Sequence, residues 1–441
     1  MRVKQLKISN FRGIGDLTIE FDENEPTVFI GVNGVGKSSI LDCLAIMLSH
    51  FVEYLVNRNL IPKIKTSLST SSKFAVPQLP RLTTRSEQKS PPIKYKRIFN
   101  KRDIKNGCEN LENEITISHQ SEEVSWNLST KVRGQILNPQ LLINEINLLR
   151  INFKNPILVY YSVNRGIFEI PLESSQTDSF QLKDAYDNAL EGVKIGFESF
   201  FQWFRIVEDL ENEERRDNPD YRDKRLEAVR EAISSLMEGF TNLRVRRSPL
   251  RMTVIKQGEE LIVNQLSDGE KCLLAMAGDL ARRLAIANPS LTDPLQGSGV
   301  VLIDEIELHL HPAWQRKIIS ALTQTFPNCQ FIVTTHSPQV ISQVKPESIY
   351  ILEATPDGIV AQRPENSYGR DSNRILEDLM NVPERPQKIK ELLLELFRLI
   401  DSNNLDRAKQ LRQEIADQIG TDEPELVKAG VSIRRQEILN R

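Results

Sequence analysis

Gly31-Val32-Asn33-Gly34-Val35-Gly36-Lys37-Ser38 decides how the rest of the chain is read. It fits the phosphate-loop pattern GxxxxGK[ST]: glycines let backbone N–H groups wrap a polyphosphate, and the following helix offers the positive end of its dipole. Here Gly31, Asn33, Gly34 and Gly36 would form the cradle, and Lys37 would reach the β and γ phosphates. Ser38, with Ser39 beside it, would open the helix and supply a hydroxyl for Mg²⁺. The flanks agree. Val28-Phe29-Ile30 reads as a short buried strand, and the spacing of Ile40, Leu41, Leu44, Ile46 and Met47 predicts a helix. An ordinary glycine-rich turn before a helix is the plainer alternative.

Two further stretches give that loop partners. Val300-Val301-Leu302-Ile303-Asp304-Glu305 is an apolar strand ending in two carboxylates. At the C-terminal edge of a parallel sheet, Asp304 would complete a Mg²⁺ shell and Glu305 would polarise an attacking water. Leu266-Ser267-Asp268-Gly269-Glu270 opens a helix, with Ser267 and Glu270 satisfying the S-x-x-E capping box. A well-capped helix is one reading of it; a capped N-terminus is also an anion site.

The chain has 441 residues, 39% hydrophobic and 27% charged, which fits two or three compact units and excludes a stapled peptide or wholesale disorder. Its four cysteines (Cys43, Cys108, Cys272, Cys329) are scattered without CxxC spacing, and no secretion signal or membrane-spanning run of apolar residues is expected. A reducing cytoplasm fits these features. Net charge is −3, yet residues 63–105 carry twelve lysines and arginines against two acids. That Ser/Thr/Pro-rich segment reads either as a solvated insertion or as a phosphate-backbone contact for DNA, with Phe74, Tyr95 and Phe99 available to stack on bases.

Alternation predicts strands over 3–9 and 17–22, a hairpin over 114–118 and 124–128, and a buried strand over 156–161. Residues 180–240 read as charge-rich helix interrupted near Asn218-Pro219, and strands alternate with helices over 243–352. The remainder is helical, broken at Pro383, Pro386 and near Gly420. Its stripe of Ile389, Leu392, Leu393, Leu396, Phe397 and Leu399-Ile400 is either the face of a self-packed hairpin or a docking surface.

Taken in order, the loop, the Leu266–Glu270 stretch and the Asp-Glu strand resemble the ABC-type ATPase heads of the RecF, SMC and overcoming-lysogenisation lineage. Asp304-Glu305-Ile306-Glu307-Leu308-His309-Leu310-His311-Pro312 is similar to that lineage's acidic strand plus D-loop. Thr334-Thr335-His336-Ser337 resembles its switch-histidine segment, and Asn10-Phe11-Arg12-Gly13 the element beside the nucleotide. Asp268 stands where the signature usually has glycine, and His311 where the D-loop usually has aspartate. Ser162-Val163-Asn164-Arg165 is taken for the glutamine loop. His309 and His311 are read as loop residues.

The resemblance implies an α/β head with a mixed sheet, a helical lid insertion and a C-terminal helical tail. It implies ATP and Mg²⁺ as ligands, hydrolysis by Glu305, His336 and Lys37, nucleotide contacts from Arg12, and a homodimer or higher even-numbered oligomer. In that dimer Ser267 and Gly269 would complete the partner copy's site. The expected division is 1–62 and 241–365 for the N- and C-terminal parts of the head, 63–110 for the basic insertion, 111–170 for the head's β-rich part, 171–240 for the lid and 366–441 for the tail. Within the lineage the chain is most similar to ATPase subunits of Septu-type and retron-linked antiphage systems, which implies regulation of a separate HNH nuclease through the tail. A RecF-like repair ATPase without a nuclease partner is the competing expectation. The chain shows no HNH pattern or TOPRIM acidic set of its own.

Overall fold

The computed structural model describes residues 1–60, 95–119, 122–132, 154–164, 180–192, 197–356 and 358–439. They fall into two compact units, Met1–Gly369 and Arg370–Arg441. The larger is built on three sheets. β1 (Arg2–Ser9), β2 (Leu17–Glu20), β4 (Asn110–His119) and β5 (Glu122–Lys131) form an antiparallel sheet in the order β2-β1-β4-β5. β3 (Thr27–Ile30), β6 (Ile157–Tyr161), β10 (Gly299–Ile303), β11 (Cys329–Thr334), β12 (Ile349–Thr355) and β13 (Gly358–Gln362) form the second, in the order β13-β12-β3-β11-β10-β6. Every pairing in that sheet is parallel except β12 with β13, so it is mixed. The third is a meander of β7 (Phe240–Arg247), β8 (Leu250–Lys256) and β9 (Glu259–Ile262).

Central parallel strands are covered on both faces and therefore read as unbroken apolar runs, and all of β3, β6, β10 and β11 is buried. α1 (Lys37–Leu60) packs against both β6 and β4, one strand from each large sheet. Phe51 of α1 stacks on Trp126 of β5 at 6.2 Å. One expectation needs correcting: the chain does carry an apolar run of membrane-spanning length. Lys37–Val56 is long and apolar enough by composition to span a membrane, with mean hydropathy 1.6, but 78% of it is buried inside the protein. A helix covered on all sides carries the same composition as a membrane span.

The charge-rich stretch gives α2 (Phe197–Asp217) and α3 (Lys224–Leu236), separated at Asn218-Pro219. α2 drives Phe200, Trp203 and Phe204 inward. The stretch expected to alternate strand with helix from 243 instead begins with β7 to β9, because tight turns at Pro249 and Gly258 return each strand onto its neighbour. α4 (Asp268–Ala287) and α5 (Ile318–Thr325) follow.

The second unit holds α6 (Ser372–Met380), α7 (Gln387–Asp401), α8 (Leu405–Ile419) and α9 (Pro424–Leu439). Leu393, Leu396, Ile400, Leu411, Ile415, Leu426 and Ile433 make its core, with Ile389, Leu392, Phe397 and Leu399 packed on the rim. The predicted stripe is thus largely consumed by a bundle of three helices, α7, α8 and α9, one more than a hairpin has.

Candidate functional site

Four parallel strands end on one edge of the six-stranded sheet, the edge where open α/β sheets bind ligands. β3 runs into the glycine loop, β10 into Asp304 and Glu305, β11 into Thr335 and His336, and β6 into Ser162–Asn164.

The loop needs its glycines. Gly31, Gly34 and Gly36 have φ of +146°, +79° and +109°, a region costly for any residue with a Cβ. A Cβ on Gly31 would also meet the Leu352 carbonyl oxygen at 2.6 Å. Asn33, Gly34 and Ser38 are exposed and Ser39 is half-buried. The Lys37 side chain folds back over the loop, its Nζ donating to the carbonyls of Gly31 at 2.9 Å and Val32 at 3.0 Å. Burial pushes the Lys37 ammonium below its ordinary range, while Asp304, Glu305 and Glu307 pull it back up. A polyphosphate in the loop would meet an ammonium otherwise bonded to two backbone carbonyls.

Asp304 is buried and accepts from Thr334 Oγ1 at 2.6 Å; the same hydroxyl oxygen accepts from the Glu305 backbone N–H at 2.7 Å. One threonine at the end of β11 therefore fixes both acids at the end of β10. Glu305 sits at φ +48°, a strained conformation for a non-glycine residue of the kind concentrated at working sites. His336 is half-buried. Burial pushes its imidazole below the ordinary histidine range and Lys37 pushes the same way, against Glu307, Glu305 and Asp304. The ring is thus neutral at pH 7 and lies in the field of Lys37 and three carboxylates. Asp304 and the Ser38 hydroxyl offer oxygen donors, the chemistry Mg²⁺ selects.

Ser267 is the N-cap of α4, and the capping box is formed: Glu270 Oε2 accepts from the Ser267 N–H at 2.9 Å while Ser267 Oγ accepts from the Glu270 N–H at 3.4 Å. Lys256 pairs with Glu270 at 2.6 Å. Gly269 lies directly against the carbonyl of His309, where any Cβ would collide. Ser267 and Asp268 face solvent.

Residues 27–342 match the family described as "AAA domain, putative AbiEii toxin, Type IV TA system". The chain belongs to that family. It is 29% identical to the "Retron Ec83 probable ATPase" of Escherichia coli, over 99% of this chain and 87% of that one. It is 24% identical to "Septu protein PtuA" of Bacillus thuringiensis, over 92% and 91% respectively. Among solved structures it is similar to the SMC head domain from Thermotoga maritima, at 16% identity and a TM-score of 0.42, over 83% of this chain and 100% of that one.

In this AAA-family chain Arg12 is committed to carboxylates. Its guanidinium pairs with Asp42 of α1 and, at 3.0 Å, with Asp103, and stacks over Phe11 at 4.8 Å. Asp42 also takes Arg97 at 2.5 Å. Arg12 therefore ties the turn after β1 to the helix that carries Lys37. Lys96 pairs with Glu53 at 3.3 Å. Phe99 is buried edge-on against Phe11 at 5.4 Å, which removes it from base stacking. Lys63, Lys65, Lys73, Phe74, Arg81, Arg85, Lys89 and Lys94 lie outside the described residues, as does Arg165.

Two AAA-family residues near the switch escaped the sequence reading. Glu307 accepts from the His336 backbone N–H at 2.5 Å and from Thr335 Oγ1 at 2.7 Å. Gln315 donates from Nε2 to the Leu310 carbonyl at 2.8 Å and accepts from Ser337 Oγ at 2.6 Å. The signal for Glu307 was present as a third acid two residues beyond Glu305 at the end of an apolar strand. His311 caps the short helix Pro312–Gln315 through its Nδ1.

Proposed function

We propose that this chain binds ATP with Mg²⁺, closes on a second copy of itself around the nucleotide, hydrolyses it, and through that cycle regulates a partner nuclease in antiphage defence in the cytoplasm. The observation that carries the reading is the meeting of the glycine loop, Lys37, Asp304, Glu305 and His336 at one sheet edge. The relatives named as retron ATPase and Septu protein support the biological setting.

The chemistry follows from the side chains. Loop N–H groups and Lys37 hold the β and γ phosphates, and Ser38 with Asp304 holds the metal. Mg²⁺ supplies charge neutralisation at the phosphates. Glu305 orients and polarises the attacking water, and the neutral His336 faces the γ phosphate as a hydrogen-bonding partner. One chain carries one copy of each motif. The exposed α4 N-terminus, with Ser267 at its cap, would serve a phosphate held by the other copy. Ligand bound only to the closed dimer shifts its equilibrium by about 2.7 kcal/mol at a hundredfold excess over Kd, enough to switch a partner. In this reading residues 1–62, 111–170 and 241–365 are the head, 171–240 the lid and 366–441 the tail offered to the nuclease.

Phosphate release measured with purified protein tests it. Turnover in the wild type and none in Lys37→Ala or Glu305→Gln is the expected result, with nucleotide binding lost only in the lysine variant. Co-purification with a nuclease encoded beside this chain, abolished by deleting 370–441, tests the partner.

A further inference from the structure

The loop after the acidic strand and the segment that carries the switch histidine are fastened together at two points. At the first, one carboxylate oxygen of Glu307 accepts from the His336 backbone N–H at 2.5 Å and the other accepts from Thr335 Oγ1 at 2.7 Å. Thr335 Oγ1 in turn accepts from the Ser337 N–H at 3.0 Å, so the turn after β11 is pinned from both sides. At the second, Gln315 bridges the Leu310 carbonyl and the Ser337 hydroxyl at 2.8 and 2.6 Å. The sheet is closed here by the β10–β11 ladder, the Ile306 N–H to Thr334 carbonyl bond at 3.0 Å and the Thr334 to Asp304 bond at 2.6 Å. What Glu307 and Gln315 add is the position of the three residues beyond the ladder's end, His336 among them.

We propose that Glu307 and Gln315 are positioning residues for hydrolysis: together they couple the loop Ile306–His311 to His336, so that the switch histidine takes its place only when that loop does. This rests on the ATPase reading above. The loop is also the one that backs the α4 N-terminus, through the His309 carbonyl against Gly269. A displacement at the α4 N-terminus, the surface where a second copy would close, therefore has a route to His336: by packing from Gly269 to His309, along the loop's backbone from His309 to Glu307 and Leu310, and by hydrogen bonds from there to Thr335, His336 and Ser337. His309 itself is held at φ +65°, a conformation available to few residues, so the loop has a defined shape to transmit. The carboxylate is suited to the task because it accepts two hydrogen bonds at once in a fixed geometry, and bonds to an ionised acceptor are stronger than neutral ones.

Three variants test the coupling: Glu307→Ala, Glu307→Gln and Gln315→Ala. Each is measured for single-turnover phosphate release and, separately, for binding of a fluorescent ATP analogue, with a thermal melt to establish folding. Misplacing a reacting group by about 1 Å costs up to about 100-fold in rate. The expected result is a fall in hydrolysis of about 10- to 100-fold for Glu307→Ala with nucleotide affinity within about threefold of wild type. Glu307→Gln, whose amide oxygen still accepts from the His336 N–H, recovers most of that loss. Gln315→Ala falls between, and the double variant Glu307→Ala/Gln315→Ala loses less than the product of the single losses, because both act through one segment.

Hydrolysis by Glu307→Ala at the wild-type rate overturns the proposal. So does an equal loss in Glu307→Gln and Glu307→Ala with affinity falling in step, which would make Glu307 a support of the nucleotide pocket. Absence of phosphate release from the wild type is a different outcome. It overturns the ATPase reading itself, and the coupling with it.

Discussion

Lys37 and His50 lie on the same helix and are both displaced from their ordinary titration by burial, with different consequences. Lys37 stands in the glycine loop, where a bound phosphate would counter that downward push. His50 is 4% exposed, and burial, reinforced by Lys96, holds its imidazole down at about 4. A histidine whose folded value is depressed stays neutral while the unfolded chain takes up a proton, so stability is full above about pH 6.5 and is lost as pH falls toward 4. Between pH 7 and pH 5 this site alone is expected to remove about 2 kcal/mol. Chemical denaturation at the two pH values checks it: replacing His50 with methionine should flatten the difference, and an undiminished slope would show that His50 is not its source. The residues legible from sequence were those whose chemistry is local, the glycine loop with Lys37 and the Asp304-Glu305 pair. Arg12 was legible as belonging near the loop but not as the partner of Asp42 and Asp103, because a residue's ion partners depend on which distant segments the fold brings up. Glu307 was missed for the same reason, its partners Thr335 and His336 lying just beyond the neighbouring strand β11.

Among the elements, α4 carries two burdens at its first turn. Its capping box stabilises the helix, and in the proposed dimer the same turn would face the second copy. Ser267→Ala is expected to destabilise the chain by about 1 kcal/mol, the usual cost of losing an N-cap. It should also reduce steady-state hydrolysis while leaving ATP binding to the monomer intact. Comparing denaturation midpoints with turnover checks this, and unchanged turnover would confine Ser267 to capping. A bulkier change at Gly269 to alanine is expected to lower stability further, since the added methyl meets the His309 carbonyl. α1 shows where pattern reading fell short. Its apolar residues are not confined to one stripe because sheets lie on two sides, so composition alone makes it look like a membrane span. The strands were legible because period-two alternation marks a sheet with one wet face, as in β1, and continuous apolar runs mark buried parallel strands, as in β10. The β7–β9 meander was read as part of an alternating pattern because its strand ends are set by turns, not by any change in hydrophobic period.

At the scale of the whole chain, the two units have separate cores. Leu396 and Leu411 are fully enclosed in the second, and truncating either to alanine is expected to cost about 2–5 kcal/mol there. Nucleotide affinity of the larger unit should not change. Helical melting followed together with binding of a fluorescent nucleotide checks this, and a parallel loss of both would mean that the units fold as one. The sequence marked the tail as helical through its stripe, yet could not say what covered that stripe, since inward and docking faces share one pattern. The claim on which the account turns is that ATP joins two copies. Sedimentation velocity of Glu305→Gln, with and without ATP and Mg²⁺, tests it most directly. A shift from monomer to dimer on adding nucleotide, absent in the Glu305→Gln/Lys37→Ala double variant, is the expected result. A Glu305→Gln protein that binds ATP stoichiometrically and remains a monomer at every concentration would contradict it.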